Sequence, residues 1–159
     1  MDYIKSALLN TELAKAICVF FVKGVKSLQE TAIKTGAAKY ESELVYLRGY
    51  NLSPGVSIEK EGGSLNLYAR LRMYKGNMDD LLQWPFGHKI EFGVVHPKDG
   101  PDIVFQVIGN PFLRCFQRPT ACSNRSNTSF ARRSLNLEYL IREGYVENDQ
   151  LRIMFQLLP

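Results

Sequence analysis

The chain has 159 residues, of which 45% are hydrophobic and 23% charged, and its net charge is +4. That is the size and composition of one globular domain around a single core, and it excludes a disordered or low-complexity chain. The 20 lysines and arginines are scattered among 16 acids instead of forming a run, which argues against nucleic-acid binding and against a membrane-surface role.

Residues 1–16 are rich in Ala, Leu, Lys and Glu, without Gly or Pro, and their propensity predicts a helix. Ile4, Ala7, Leu8, Thr11 and Ala14 share one side of it while Leu9, Leu13 and Ala16 share another. Both sides therefore carry apolar residues, and such a helix either ends a coiled-coil stalk or folds back onto its own domain. Residues 17–22 are branched and aromatic, which predicts a buried strand. The apolar run is too short to cross a bilayer and lacks a cleavage site for a signal peptide. Residues 27–39 are polar and punctuated by Gly36; a short strand inside a loop is expected there. A strand over residues 43–52 is expected to bend at Ser53, Pro54 and Gly55 before Val56 resumes it.

The cleanest alternation in the chain comes next. Leu65, Leu67, Ala69, Leu71 and Met73 alternate with Asn66, Tyr68, Arg70, Arg72 and Tyr74, the period of two that a half-buried strand requires. Asp79 and Asp80 then begin a helical turn, and Trp84 meets Pro85, which drives the tryptophan out of any helix and turns it as a corner into the core. Ile90, Phe92 and Val94 form a further strand, and a turn beginning at His96 and Pro97 leads to a returning strand over 103–108. A helix over 135–143 is expected, capped by Ser134 and ended by Gly144. Leu151, Ile153, Phe155 and Leu157 make a last strand. About eight strands with few helices predict an all-β antiparallel sandwich over residues 17–159.

Chemical signatures are sparse. There is no GxSxG, Walker loop, GxGxxG, HExxH or CxxC, so neither an enzyme nor a cofactor site is expected. Cys18, Cys115 and Cys122 have no zinc-site spacing and are read as reduced structural residues in a cytoplasmic protein. His88 and His96 read as loop histidines and not as a ligand pair. Asn-X-Ser/Thr triplets begin at Asn51, Asn124 and Asn127, and they matter only in a secreted protein. Tyr68, on the polar side of its strand, reads equally well as an exposed aromatic or as the wall of a groove for an extended peptide laid along a sheet edge.

Five segments carry a family resemblance: Asp80-Leu81-Leu82-Gln83-Trp84-Pro85-Phe86, Phe116-Gln117-Arg118-Pro119, Gly49-Tyr50, Leu65-Asn66-Leu67-Tyr68, and the run from Tyr145 to Leu151. Together they resemble the C-terminal domain of tumour-necrosis-factor-receptor-associated factors, the TRAF or MATH domain, over residues 49–157 and more weakly back to Ile17. The resemblance implies an eight-stranded sandwich that trimerises behind a short coiled coil, for which residues 1–16 stand in the right place. It implies an adaptor whose peptide partners are receptor tails or signalling proteins, with avidity from three grooves. Carried over residue by residue, Tyr68 takes an aromatic pocket position, with Phe92, Val107 and Phe116 as its apolar neighbours. Gly55 and Ser57 replace an arginine and a tyrosine of the family, and Leu113, Arg114 and Cys115 replace three serines. Thr128 and Ser129 are the opposite rim. Upstream, Cys18 stands near the usual tryptophan of the first strand, and residues 40–44 depart from the familiar stretch. A monomeric substrate-recognition module of a ubiquitin-ligase or deubiquitinase assembly is the alternative the wider family implies. A structural trimeriser or decoy that lost peptide binding is the third.

Overall fold

A computed structural model of the chain describes residues 15–108, 112–120, 128–129 and 133–159. Two antiparallel sheets form a sandwich. One contains β1 (Ile17–Lys23), β6 (Lys89–Val95), β7 (Ile103–Ile108), β10 (Val146–Glu147) and β11 (Gln150–Leu157), in the order β1-β11-β6-β7 with β10 also on β11. The other contains β2 (Ala37–Glu41), β3 (Val45–Leu47), β4 (Tyr50–Glu61), β5 (Ser64–Tyr74), β8 (Thr128–Ser129) and β9 (Leu135–Asn136), in the order β2-β4-β5-β8 with β3 on β4 and β9 on β5. Eight of the described strands have three residues or more, in keeping with the expected number, and the remaining three are short bridges. Of the helix expected over residues 1–16 only Lys15 and Ala16 lie within the described residues, and these two are not helical: the Ala16 carbonyl accepts from Leu157 N–H and continues the β1–β11 ladder.

The core is the meeting of two inward faces. Leu65, Leu67, Ala69, Leu71 and Met73 of β5 are buried, as their alternation predicts, and they face Ile90, Phe92 and Val94 of β6 and Leu151, Ile153, Phe155 and Leu157 of β11. Side chains from both sheets close the interior between them.

Four local expectations are corrected. Residues 27–39 are not a loop: the short strand of this stretch falls only at its end, where residues 37–39 open β2, and Val25–Thr35 is a helix, α1. Its first residues contain no capping side chain, and the cap comes from 125 positions further on. The Asp149 carbonyl accepts from the N–H groups of Gly24 and Val25 at 3.1 Å each, and its carboxylate accepts from Lys26 N–H at 2.8 Å. Free amides at a helix start need such acceptors, and here a hairpin turn provides them. Gly36, at φ 98°, ends α1 in the left-handed region where a glycine is at ease.

β1 is not buried on both faces. Cys18, Phe20 and Val22 point inward, but Ile17, Val19 and Phe21 are exposed. The chain does not bend at Ser53-Pro54-Gly55 either; β4 runs through all three, and the reversal falls earlier, where Arg48 and Gly49 both have positive φ in a tight hairpin turn. Finally, the cap of the second helix, α2 (Leu137–Arg142), is Asn136 and not Ser134, its side chain accepting from Tyr139 N–H at 2.8 Å. Gly144 at φ 84° ends it as expected.

The Trp84 corner is built around Tyr50. Trp84 leaves a 3-10 turn (Asp79–Leu81), joins Pro85 by a cis peptide bond, and donates from Nε1 to the Asp79 carbonyl at 2.9 Å. Its ring is half-buried and meets Tyr50 edge-on at 5.1 Å, while Tyr50 and Phe86, 4.9 Å apart, are the deeply buried pair. Tyr50 donates its hydroxyl to the Gln83 carbonyl at 2.6 Å. Phe86 stacks on Phe116 and donates its N–H to the Phe116 carbonyl at 2.8 Å, and Arg118 pairs with Asp80.

Replacing Trp84 by alanine is expected to cost about 3 kcal/mol, the lower end for large aromatic truncations because the ring is only half-buried; an unchanged urea midpoint would remove the corner from the list of structural determinants. Asp149→Ala should cost about 1 kcal/mol through the lost cap, and Asp149→Asn, which keeps an acceptor, distinctly less. Chemical denaturation of both variants measures the difference.

Candidate functional site

The pairing of β4 with β5 decides what stands beside Tyr68. Ser57 is opposite Tyr68, Gly55 opposite Arg70 and Ser53 opposite Arg72, so all six lie on the outward face of this sheet. On the far side of β5, Ser129 of β8 is opposite Arg70 and Thr128 opposite Leu71. β8 is the end strand of its sheet among the described residues. Tyr68 therefore sits on the strand next to the end strand, two residues along β5 from the Arg70↔Ser129 pair.

The surroundings of Tyr68 are polar and acidic. Its hydroxyl donates to the Glu61 carboxylate, and this bond raises the phenol above its usual range. Ser57, fully buried, donates to Glu59 at 2.6 Å. Glu59, Lys60, Glu61 and Tyr68 line a shallow recess of about 310 Å³. Further along the same face Arg70 is buried, which pulls its guanidinium below the usual value, while Glu41 and Glu59 act in the opposite direction. Arg72 lies 3.7 Å from Glu41.

Of the residues singled out in the sequence, the structure unites Gly55, Ser57, Tyr68 and the Thr128–Ser129 strand in one sheet. It does not add the apolar neighbours. Phe92 and Val107 belong to the opposite sheet and face the core, and Phe116 is fully enclosed beneath Phe86. Their apolar surface is used up in packing the two sheets together, so among the described residues they leave no open apolar pocket beside Tyr68. Leu113 is half-buried, Cys115 is buried, and of the run that replaces the three serines only Arg114 is exposed. Gly55 has a packing reason of its own: a Cβ there would stand 2.2 Å from the Tyr40 carbonyl oxygen, which leaves no room for the arginine of the family.

Alternation in β5 pointed to Tyr68, but nothing local pointed to Glu59 and Glu61, which reach it only through the β4–β5 hairpin. Other reactive groups have structural partners. His88 bonds the Leu158 carbonyl. His96 bonds the Glu143 carbonyl through Nε2 and accepts from the N–H groups of Lys98 and Gly100 at Nδ1. Asp79 is buried and accepts from Gly76 N–H, and Asp80, beside Arg118, has its carboxyl held below the usual range. Asn51 is buried with its amide donated to the Lys75 carbonyl, so this triplet is closed to glycosylation in the folded chain. Asn124, Asn127 and Cys122 lie outside the described residues. Among the described residues there is no cluster of three metal-ligating side chains, and no helix is long and apolar enough to cross a membrane.

The sandwich presents a mixed-charge outer face with a short end strand beside it, an arrangement suited to contact with another protein chain. Residues 39–154 match the model of the family described as TRAF/meprin, MATH domain, and the chain belongs to that family. A solved structure of TRAF5 from Notothenia coriiceps is similar over 98% of this chain and 82% of its own, with a TM-score of 0.72 and 19% identity. At that identity the likeness concerns the fold. No curated protein matches the chain in sequence.

The cysteine of β1 gives a pH test of this packing. Burial pushes the Cys18 thiol up to about 11 from 9.0, with Lys15 opposing. Burial thus favours the neutral thiol, so its contribution to stability is intact below pH 9 and drains away as the pH rises towards 11. The Tm is expected to fall across that window, with a shallower slope in Cys18→Ala. An identical slope in the two chains would show that Cys18 does not titrate with folding.

Proposed function

We propose that this domain is a non-catalytic adaptor or scaffold that captures short extended peptides from receptor tails or signalling partners. The peptide lies as an added strand beside Thr128–Ser129, with Tyr68 and the Gly55–Ser57 segment as the neighbouring surface. The observation that carries this reading is the register that joins Tyr68, through Arg70, to the end strand β8. Backbone pairing along a sheet edge supplies affinity, and the neighbouring side chains supply selectivity. Because Gly55 and Ser57 are small and Glu59 and Glu61 surround Tyr68, the peptide preferred here differs from one read by an arginine, a tyrosine and three serines.

On this reading the domain works in the cytoplasm as a trimer held by a helix ahead of Lys15, and three modest sites gain strength through effective concentration. A monomeric recognition module for a ubiquitin-ligase or deubiquitinase assembly is the second reading, supported by the breadth of the matched family, whose description as TRAF/meprin extends beyond the TRAF proteins.

Sedimentation of the full chain beside one beginning at Lys15 distinguishes the two. A trimer that becomes a monomer on shortening supports the adaptor, and two monomers support the recognition module. In a peptide array, Tyr68→Ala should weaken capture about tenfold or more while changing stability by less than about 0.5 kcal/mol; capture that ignores the substitution would leave a structural trimeriser or decoy.

A further inference from the structure

The other sheet has an open edge of its own. The Ala16 carbonyl accepts from Leu157 N–H at 2.8 Å, and antiparallel pairing alternates, so Ala16, Cys18, Phe20 and Val22 use their backbone groups on β11. The groups of Ile17, Val19 and Phe21 point the opposite way. The first outward carbonyl, that of Lys15, is taken by Arg48 N–H at 2.6 Å. Beyond it, β1 has no neighbouring strand on that side among the described residues.

The side chains of these same residues are apolar and exposed, Ile17 at 46%, Val19 at 54% and Phe21 at 40%. An uncharged branched and aromatic run on a free edge is a template for pairing and is stable in solution only when managed. A groove of about 450 Å³ runs between this edge and the segment from Ser42 to Val45, with Lys15 and Lys23 at its two ends and Glu43 as its one acid. The lysines decide the occupant. In a β1–β1 pair centred on Val19, Lys15 of each copy would lie opposite Lys23 of the other, and in a parallel in-register pair each would meet itself. Like charges directly opposite each other disfavour both.

We propose that the β1 edge is a second docking edge, distinct from the Tyr68 face, which accepts an extended segment of a partner protein with apolar residues at alternate positions and an acid at each end. The acids meet Lys15 and Lys23, and the apolar side chains lie beside Ile17, Val19 and Phe21.

The test uses the full chain and the synthetic peptide Glu-Thr-Val-Thr-Val-Thr-Val-Thr-Glu, with a control in which both glutamates are lysines. The acidic peptide should bind and protect the amides of Ile17, Val19 and Phe21 from hydrogen exchange, and the control should bind about tenfold more weakly or worse. Val19→Pro removes an outward N–H without touching the β11 ladder, a substitution edge strands tolerate, and it should abolish binding at an unchanged Tm. The double variant Lys15→Glu/Lys23→Glu should invert the preference between the peptides, which decides the matter even if the proline variant is unstable. Amides already protected in the free chain would mean that residues 1–14 or a second copy cover the edge, and the proposal falls. It falls equally if neither peptide binds or if binding ignores these variants.

Discussion

The pairing of β4 with β5 is the constraint on which this structure rests. Eleven consecutive residue pairs run from Asn51↔Tyr74 to Glu61↔Ser64, and they assign every side chain of the two longest strands to the core or to solvent. A slip by one residue would turn Leu65, Leu67, Ala69, Leu71 and Met73 outward and bury Tyr68 and Arg72 in their place, at a cost no local adjustment could offset. The strands on both sides of the hairpin inherit its register. β2 packs so closely across β4 that Gly55 has no room for a Cβ, and β8 is positioned on β5 opposite Arg70.

The second organising feature is the corner around Tyr50. Two motifs some thirty residues apart in sequence, one at Trp84-Pro85-Phe86 and the other at Phe116-Gln117-Arg118, meet there through a backbone hydrogen bond, a stacked pair of rings and an ion pair at the surface. Tyr50 joins this assembly to the start of β4, since its ring touches Trp84, Phe86 and His88. The residues by which the family is recognisable in sequence are thus largely those that tie the crossing between the sheets to the hairpin, and they say more about fold than about ligand.

Legibility in the sequence followed the range over which each signal acts. β5 could be read because alternation is local and one side of the strand is solvated. Helix α1 could not, because its cap is Asp149 and nothing near Gly24 announces a helix start. β1 was legible as a strand but not as an edge, since an apolar run reads alike whether two faces are covered or one. At the site, Tyr68 and the small residues Gly55 and Ser57 fell where the hairpin brings them together. Phe92, Val107 and Phe116 did not join them, because alternation tells which residues share a face and not which sheet that face belongs to. The acidic company of Tyr68 was hidden for a related reason: Glu61 is seven positions away and is brought back by the Gly62-Gly63 turn.

The neighbourhood of β1 and β11 has a mechanical consequence. Ile17 pairs with Gln156 and Lys23 with Gln150, so the chain enters and leaves the sandwich at the same end of one antiparallel ladder. Tension applied between Lys15 and Pro159 would load that ladder at its end and open its hydrogen bonds one after another, as a zipper opens, instead of shearing them together. The domain would then yield to small forces applied between Lys15 and Pro159.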